Sequence, residues 1–224
     1  MRLAFRGAVF DADGTLLDSM QVWRNLGERY LLRLGLAPEK GLSARLWPLS
    51  FEQGCGYIKE HYGLKDSVDG IKDGISGMIE DFYRHEAELK PGVREFLGEL
   101  GRRKITMVIA TSGDRELLCS ALKRNGIDEY FSRIFTCSEL NTDKRHPEIF
   151  RACAEALGLP HGNIAVFEDS LFALETARAE GFITIGIEDA SSINDRARII
   201  GISDYYVRDW RKVNIEDGID DSRQ

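Results

Sequence analysis

Apolar residues fall along this chain in two rhythms. Six short runs are apolar at consecutive positions: "GAVFDA" (7–12), "KITMVIATS" (104–112), "RIFTC" (133–137), "NIAVFED" (163–169), "FITIGI" (182–187) and "DYYV" (204–207). Runs without in–out alternation are the pattern of parallel strands buried on both faces. Between them lie amphipathic stretches, "VREFLGELGRR" (93–103), "RELLCSALKRNG" (115–126), "PEIFRACAEALG" (147–158) and "LFALETARAEG" (171–181). Three of these close on Gly126, Gly158 and Gly181, where a helix C-terminus prefers glycine. Strand and helix in alternation predict an α/β protein whose core is a Rossmann-like open parallel sheet with helices on both faces.

Residues 16–89 break that rhythm: they carry long helical patterns, such as "VDGIKDGISGMIEDFYRHEAEL", and no strand run. They read as an α-helical domain inserted after the first strand, with the core made of residues 1–15 and 90–224. The chain re-enters the core near "LKPGVREFL" (89–97), and its polar end, "IEDGIDDSRQ", is expected to fray. There is no internal repeat.

A length of 224 residues suits one large domain or a domain with an insertion. The formal net charge of −7 argues against a nucleic-acid or membrane-surface binder, which needs a basic patch. No apolar stretch approaches the ~20 residues of a membrane span. The N-terminus reaches acidic residues too early for a signal peptide. Cys55, Cys119, Cys137 and Cys153 show no metal or redox spacing, so reduced thiols and a cytoplasmic location are expected.

The chemistry begins at "GAVFDADGTLLDS" (7–19), where a buried run breaks into Asp11, Asp13 and Asp18. Two carboxylates ~4 Å apart repel by about 4 kcal/mol at an effective dielectric of roughly 20. They must therefore face water or share a cation. In extended chain, Asp11 and Asp13 point the same way, with Gly14 permitting a sharp exit. Function in parallel sheets collects at strand carboxyl ends. Here those ends carry Asp11, Thr111 and the pair Glu168–Asp169. Each has a plain alternative: "DADG" as a hairpin turn, Thr111 as a turn residue, Asp169 or Ser170 as a helix cap, Lys144 as a surface lysine. A calcium loop is excluded, because Thr15, Leu16 and Val22 stand where it needs Asp or Asn, Gly and Glu.

Taken in order, these residues resemble the haloacid dehalogenase superfamily, in the branch with a helical cap after the first strand, from Gly7 to about Trp210. The D-x-D-G-T motif is Asp11–Thr15, the hydroxyl closing an apolar strand is Thr111, the lysine before a Pro-started helix is Lys144, and the acid pair is Glu168–Asp169. The resemblance implies that Asp11 attacks phosphorus and Asp13 serves as acid and then base. It implies that Thr111, Ser112 and Lys144 bind the phosphoryl group, and that Asp11, Asp13, Glu168 and Asp169 hold Mg²⁺. Asp18 would belong to the first cap helix or its hinge. Two departures bear on loop geometry: the usual K-P-x-P reads Lys144-Arg145-His146-Pro147, and Leu171-Phe172-Ala173 replaces a glycine-containing stretch. The first is expected to loosen the loop and to add charge near the phosphate site.

The function implied is a Mg²⁺-dependent phosphatase, monomeric, acting on a small phosphorylated metabolite such as a sugar phosphate or nucleotide. The alternative is a sugar-phosphate mutase of the β-phosphoglucomutase type. Those enzymes resemble this chain in the core but carry a His where it has Trp23, and a G-x-S-R stretch that "GLSARLW" (41–47) only loosely matches, with Arg45 one place late. A dehalogenase does not need Asp13, and no cap lysine is singled out for a phosphonate hydrolase. A non-catalytic binding module would be favoured by loss of Asp11, Asp13, Lys144 or Asp169, and all four are present. Trp23, Arg45 and Trp47 are the cap residues expected to meet the leaving group, although cap aromatics commonly pack helices together.

Overall fold

The apolar runs become strands. In this computed structural model, which describes residues 5–213, β1 (Gly7–Phe10) is followed by the helices α1 (Met20–Arg24), α2 (Leu26–Arg33), α3 (Leu42–Leu46), α4 (Phe51–Tyr62) and α5 (Val68–His85). The alternating part then runs α6 (Val93–Arg102), β2 (Thr106–Thr111), α7 (Arg115–Arg124), β3 (Phe131–Thr136), α8 (Glu148–Leu157), β4 (Ile164–Glu168), α9 (Leu171–Ala179), β5 (Ile183–Ile187), α10 (Arg196–Ile202) and β6 (Tyr205–Val207). The chain divides into two units, one made of the segment up to Asp18 with that from Ala87 onward, the other of Ser19–Glu86. The polar stretch Ile215–Gln224 lies outside the described residues.

All six strands are parallel, in the order β3-β2-β1-β4-β5-β6. β1 lies between β2 and β4, with Phe10 level with Ile109 on one side and Phe167 on the other. Pairing on both sides excludes the hairpin reading of "DADG". Gly14 instead takes the chain out of the sheet at φ 85°, a conformation that a side chain would strain. The continuous apolar runs have a direct cause: both faces are covered. On one face Phe10 stacks on Phe167 (centroids 4.4 Å apart) beside Phe96 and Trp210. On the other, Val9, Val108 and Val166 pack against Ile149, Phe150 and Cys153 of α8.

Edge strand β3 departs from the expected pattern, since Ser132 and Arg133 are exposed where no neighbour covers them. The helix α10 carries no expectation from the sequence; its short run "RARIIGI" gives too few turns for a legible period. In the helical unit, α1 and α2 are separated only by Asn25, which ends the first and caps the second. The short α3 falls within "GLSARLW", with Gly41 before it in the left-handed conformation. A reciprocal Ser50–Gln53 capping box starts α4, and Gly63 ends it in the left-handed conformation. The stripe Ile71, Ile75, Met78, Ile79 and Phe82 forms the buried side of α5. Gly74 lets Tyr30 of α2 approach, because a Cβ there would stand 2.7 Å from its ring. Among the described residues no helix is long and apolar enough to cross a membrane.

Candidate active site

The sheet register alone brings the first acids together. Asp11, one residue past the end of β1, stands level with Glu168, the last residue of β4, and its N–H continues the ladder to Phe167 O (2.9 Å). Strand order reverses between these two strands, so the carboxyl ends border the crevice where α/β sheets bind ligands.

Asp11, Glu168 and Asp169 are all buried, and each can place one carboxylate oxygen within 4.8 Å of the others. Lys144, 3% exposed, enters from the loop before α8 and overturns the surface-lysine reading. Its Nζ donates to Asp11 Oδ1 and to Glu168 Oε1, the latter at 2.7 Å. Glu168 Oε2 accepts from the Ser170 N–H and hydroxyl at 2.7 and 2.9 Å. The Ser170 side chain therefore does not cap α9. Asp11 Oδ2 is buried with no hydrogen-bond partner.

The electrostatics follow from one ammonium shared among three carboxylates. Burial pushes the Asp11 carboxyl up to about 7; Lys144 pulls it down, but the neighbouring Glu168 charge works against that pull. Asp169 is raised well above the usual range by burial and by the charges of Glu168, Asp11 and Asp189. Burial disfavours the Lys144 charge, yet the Asp11 and Glu168 carboxylates outweigh it and hold the ammonium above the usual lysine range. If all three carboxylates ionise, one ammonium leaves two negative charges without a counter-charge among oxygen-only donors, and Asp11 Oδ2 is buried with no partner. That donor set fits a hard divalent cation.

Thr111 ends β2 buried, and its Oγ1 accepts from the Gly113 N–H at 2.9 Å. A Cβ at Gly113 would lie 3.2 Å from Asp13 Oδ2 and 3.3 Å from Thr111 Oγ1, so this glycine admits both groups to one place. Ser112 is exposed, with its hydroxyl 3.6 Å from Cys137 Sγ. Asp18 precedes α1 rather than joining it, and its N–H donates to Glu88 O. The two departures near Lys144 meet each other: the Arg145 guanidinium lies 4.8 Å from the centre of the Phe172 ring. Asp143 Oδ1 accepts from the Arg145 N–H at 2.7 Å, tying the loop where the usual proline is absent.

The three residues expected from the helical unit are not brought together as a group. Trp23 and Trp47 line an apolar cavity of about 400 Å³ with Leu46, Phe51, Ile75 and Ile79. Arg45 is not among its walls; it pairs with Glu39 at 3.3 Å and lies over Tyr57. Trp23 Nε1 donates to Tyr83 OH at 3.0 Å. Sequence reasoning gave no site role to Gly113, Ser170, Asp189 or Ser191. The last two follow β5, so the carboxyl-end rule that selects Glu168 and Asp169 would have found them in "IEDASS".

A parallel sheet of this order carries carboxylates at its central strand ends with a lysine buried against them, and the sequence assigns the family. The profile of the haloacid dehalogenase-like hydrolases matches residues 8–187, and the chain belongs to that family and is an enzyme of it. It is 27% identical over 192 residues to a phosphorylated carbohydrates phosphatase of Thermotoga maritima, covering 84% of this chain and 86% of that protein. A phosphoglycolate phosphatase of Neisseria gonorrhoeae is 28% identical over 191 residues, covering 81% and 79%. A solved Thermotoga maritima structure, provisionally named a β-phosphoglucomutase, shares the fold at TM-score 0.81 and 23% identity, covering 93% and 96%.

Proposed function

We propose that this enzyme is a Mg²⁺-dependent phosphatase that hydrolyses a small phosphomonoester, a sugar phosphate or nucleotide-like compound, through a phosphorylated Asp11. One observation carries the reading. Lys144 is buried against Asp11 Oδ1 and Glu168, while Asp11 Oδ2 has no partner. A purely structural ion pair gives no reason to bury a second and third acid beside it.

Asp11 attacks phosphorus as a carboxylate, and the P–O bond to the leaving group breaks. Asp13, half-buried and directed at Gly113, gives its proton to the departing alkoxide. It then takes a proton from the water that attacks the phosphorylated Asp11, releasing phosphate and restoring the carboxylate. Thr111, Ser112 and Lys144 hold the phosphoryl oxygens, the lysine balancing their charge. Asp11, Asp169, Glu168 and the Asp13 carbonyl would hold Mg²⁺, which when bound offsets the charge of the carboxylates and the phosphoryl group. Ser19–Glu86 serve as the cap that reads the leaving group, with Trp23, Arg45 and Trp47 as its expected contacts. The four free thiols suit a reducing cytoplasm.

The test is phosphate release, with and without Mg²⁺, across sugar phosphates, nucleotides and an aryl phosphate. Asp11→Asn should lose about 10⁴-fold or more while remaining folded by circular dichroism. Retained turnover in that variant would mean a different nucleophile.

A further inference from the structure

A second lysine lies at the same end of the sheet and takes no part in the scheme above. Lys90 stands just after the segment in which the chain returns from the insertion, where Leu17 bridges Leu89 and the Lys90 N–H donates to Leu16 O. Its side chain is 12% exposed, and its Nζ reaches Asp189 Oδ2 and the Glu188 carbonyl, both at 2.7 Å. Asp189 is buried in turn, and its Oδ1 accepts from the Ser191 N–H at 2.8 Å. The Ser191 hydroxyl then stands 2.7 Å from Asp189 Oδ1 and 3.3 Å from Asp169 Oδ2.

These contacts form a chain that ends on one carboxylate. Lys90 and the Ser191 amide grip both oxygens of Asp189, which leaves it one orientation. That orientation holds the Ser191 hydroxyl against Asp169. Asp169 needs such support, because neither bond of Lys144 reaches it. Asp169 is repelled by three buried carboxylates, Glu168, Asp11 and Asp189, and has no ammonium bonded to it, so the Ser191 hydroxyl is the contact that orients it.

We propose that Lys90, Asp189 and Ser191 form a positioning relay that fixes the Asp169 carboxylate and thereby sets the affinity of the site for a divalent cation. The relay rests on the metal-site reading given above. None of the three residues touches the reacting atoms; they act through Asp169. Groups that orient a metal ligand in this way typically change affinity 10–100-fold when removed.

Ser191→Ala is the cleanest test, since it deletes the hydroxyl without changing charge. Mn²⁺ binding, followed by electron paramagnetic resonance of the free ion, should weaken about 10-fold. Ser191→Thr, which keeps a hydroxyl, should restore it. The Mg²⁺ concentration for half-maximal phosphate release should rise in parallel, with substrate KM at saturating Mg²⁺ unchanged. Lys90→Met separates positioning from charge. Removing a positive charge near a cation site should tighten binding if only long-range electrostatics matter, whereas loss of the relay should weaken it. Ser191→Ala binding Mn²⁺ within twofold of the wild type, or Lys90→Met binding it more tightly, overturns the relay and leaves the metal site standing. A wild-type protein that binds no Mn²⁺ overturns both.

Discussion

The two units of this protein treat charge in opposite ways. At the strand ends of the sheet, Asp11, Lys144, Glu168 and Asp169 are buried together, and three carboxylates compete for one ammonium. In the helical unit, ion pairs such as Arg29–Glu86, Arg33–Asp81 and Arg45–Glu39 lie at the surface, and its cavity is apolar. Exposed pairs gain little, because water screens them and flexible side chains lose entropy on pairing. Buried charges gain or lose a great deal according to their partners. Chemistry that depends on electrostatics therefore belongs in the first setting. The second suits shape and apolar contact, which can vary without disturbing the reaction.

That contrast can be broken by substitution. The largest expected effect is on turnover. Asp13→Ala should slow phosphate release about 10²–10⁴-fold. It should also let phosphorylated Asp11 accumulate, visible as a mass increase on the intact protein after rapid acid quench. Full activity without Asp13 would remove it from acid–base chemistry.

Next in size is a matched pair of stability measurements. Lys144→Met strands two buried carboxylates and should cost about 3–5 kcal/mol by urea denaturation. Arg45→Met deletes a cation whose side chain is 58% exposed and should stay within about 0.5 kcal/mol. Equal costs would mean that the two units do not differ in how they hold charge.

A smaller effect is expected in pH dependence. In metal-free protein Asp11 is raised from 3.8 to about 7, so the folded state keeps a proton there that the unfolded chain has released. Stability is therefore lost through Asp11 as pH rises from about 4 to about 7. Asp11→Asn abolishes that slope. In EDTA its melting temperature should gain on the wild type across this window, and Mg²⁺ should narrow the gap. A gap that stays constant would contradict the raised carboxyl.

The smallest change is expected at Trp47, 71% exposed at the rim of the apolar cavity. Trp47→Ala should leave the melting temperature within about 2 °C, given a cost below roughly 0.5 kcal/mol. It should shift KM between sugar phosphates and an aryl phosphate a few-fold, with kcat held. A uniform loss of kcat instead would place Trp47 in the chemistry rather than in recognition.

How far each region was legible from the sequence follows from the same physics. Burial on both faces writes itself as continuous apolar residues, so the strands and their carboxyl ends were readable. Asp11, Thr111, Glu168 and Asp169 were singled out by standing at those ends. Lys144 stands at no strand end and was reached through the resemblance, which its burial against Asp11 now accounts for. The helical unit was legible only as helices. Whether Trp23, Arg45 and Trp47 share a surface depends on how α1 through α5 pack, and the break at Asn25 carries no strong signal.

By itself, then, the amino-acid order determined the parallel sheet and the acids at the strand ends, because apolar periodicity and turn chemistry are local. Tertiary structure decided what no local pattern holds. It brought Lys144 across to Asp11, tied Lys90 through Asp189 and Ser191 to Asp169, and separated Arg45 from the two tryptophans. Lys144 and Asp11 lie 133 residues apart along the chain, and Ser191 lies 22 residues from Asp169. Which of them meet is set by strand register and helix packing, and these exist only once the chain has folded.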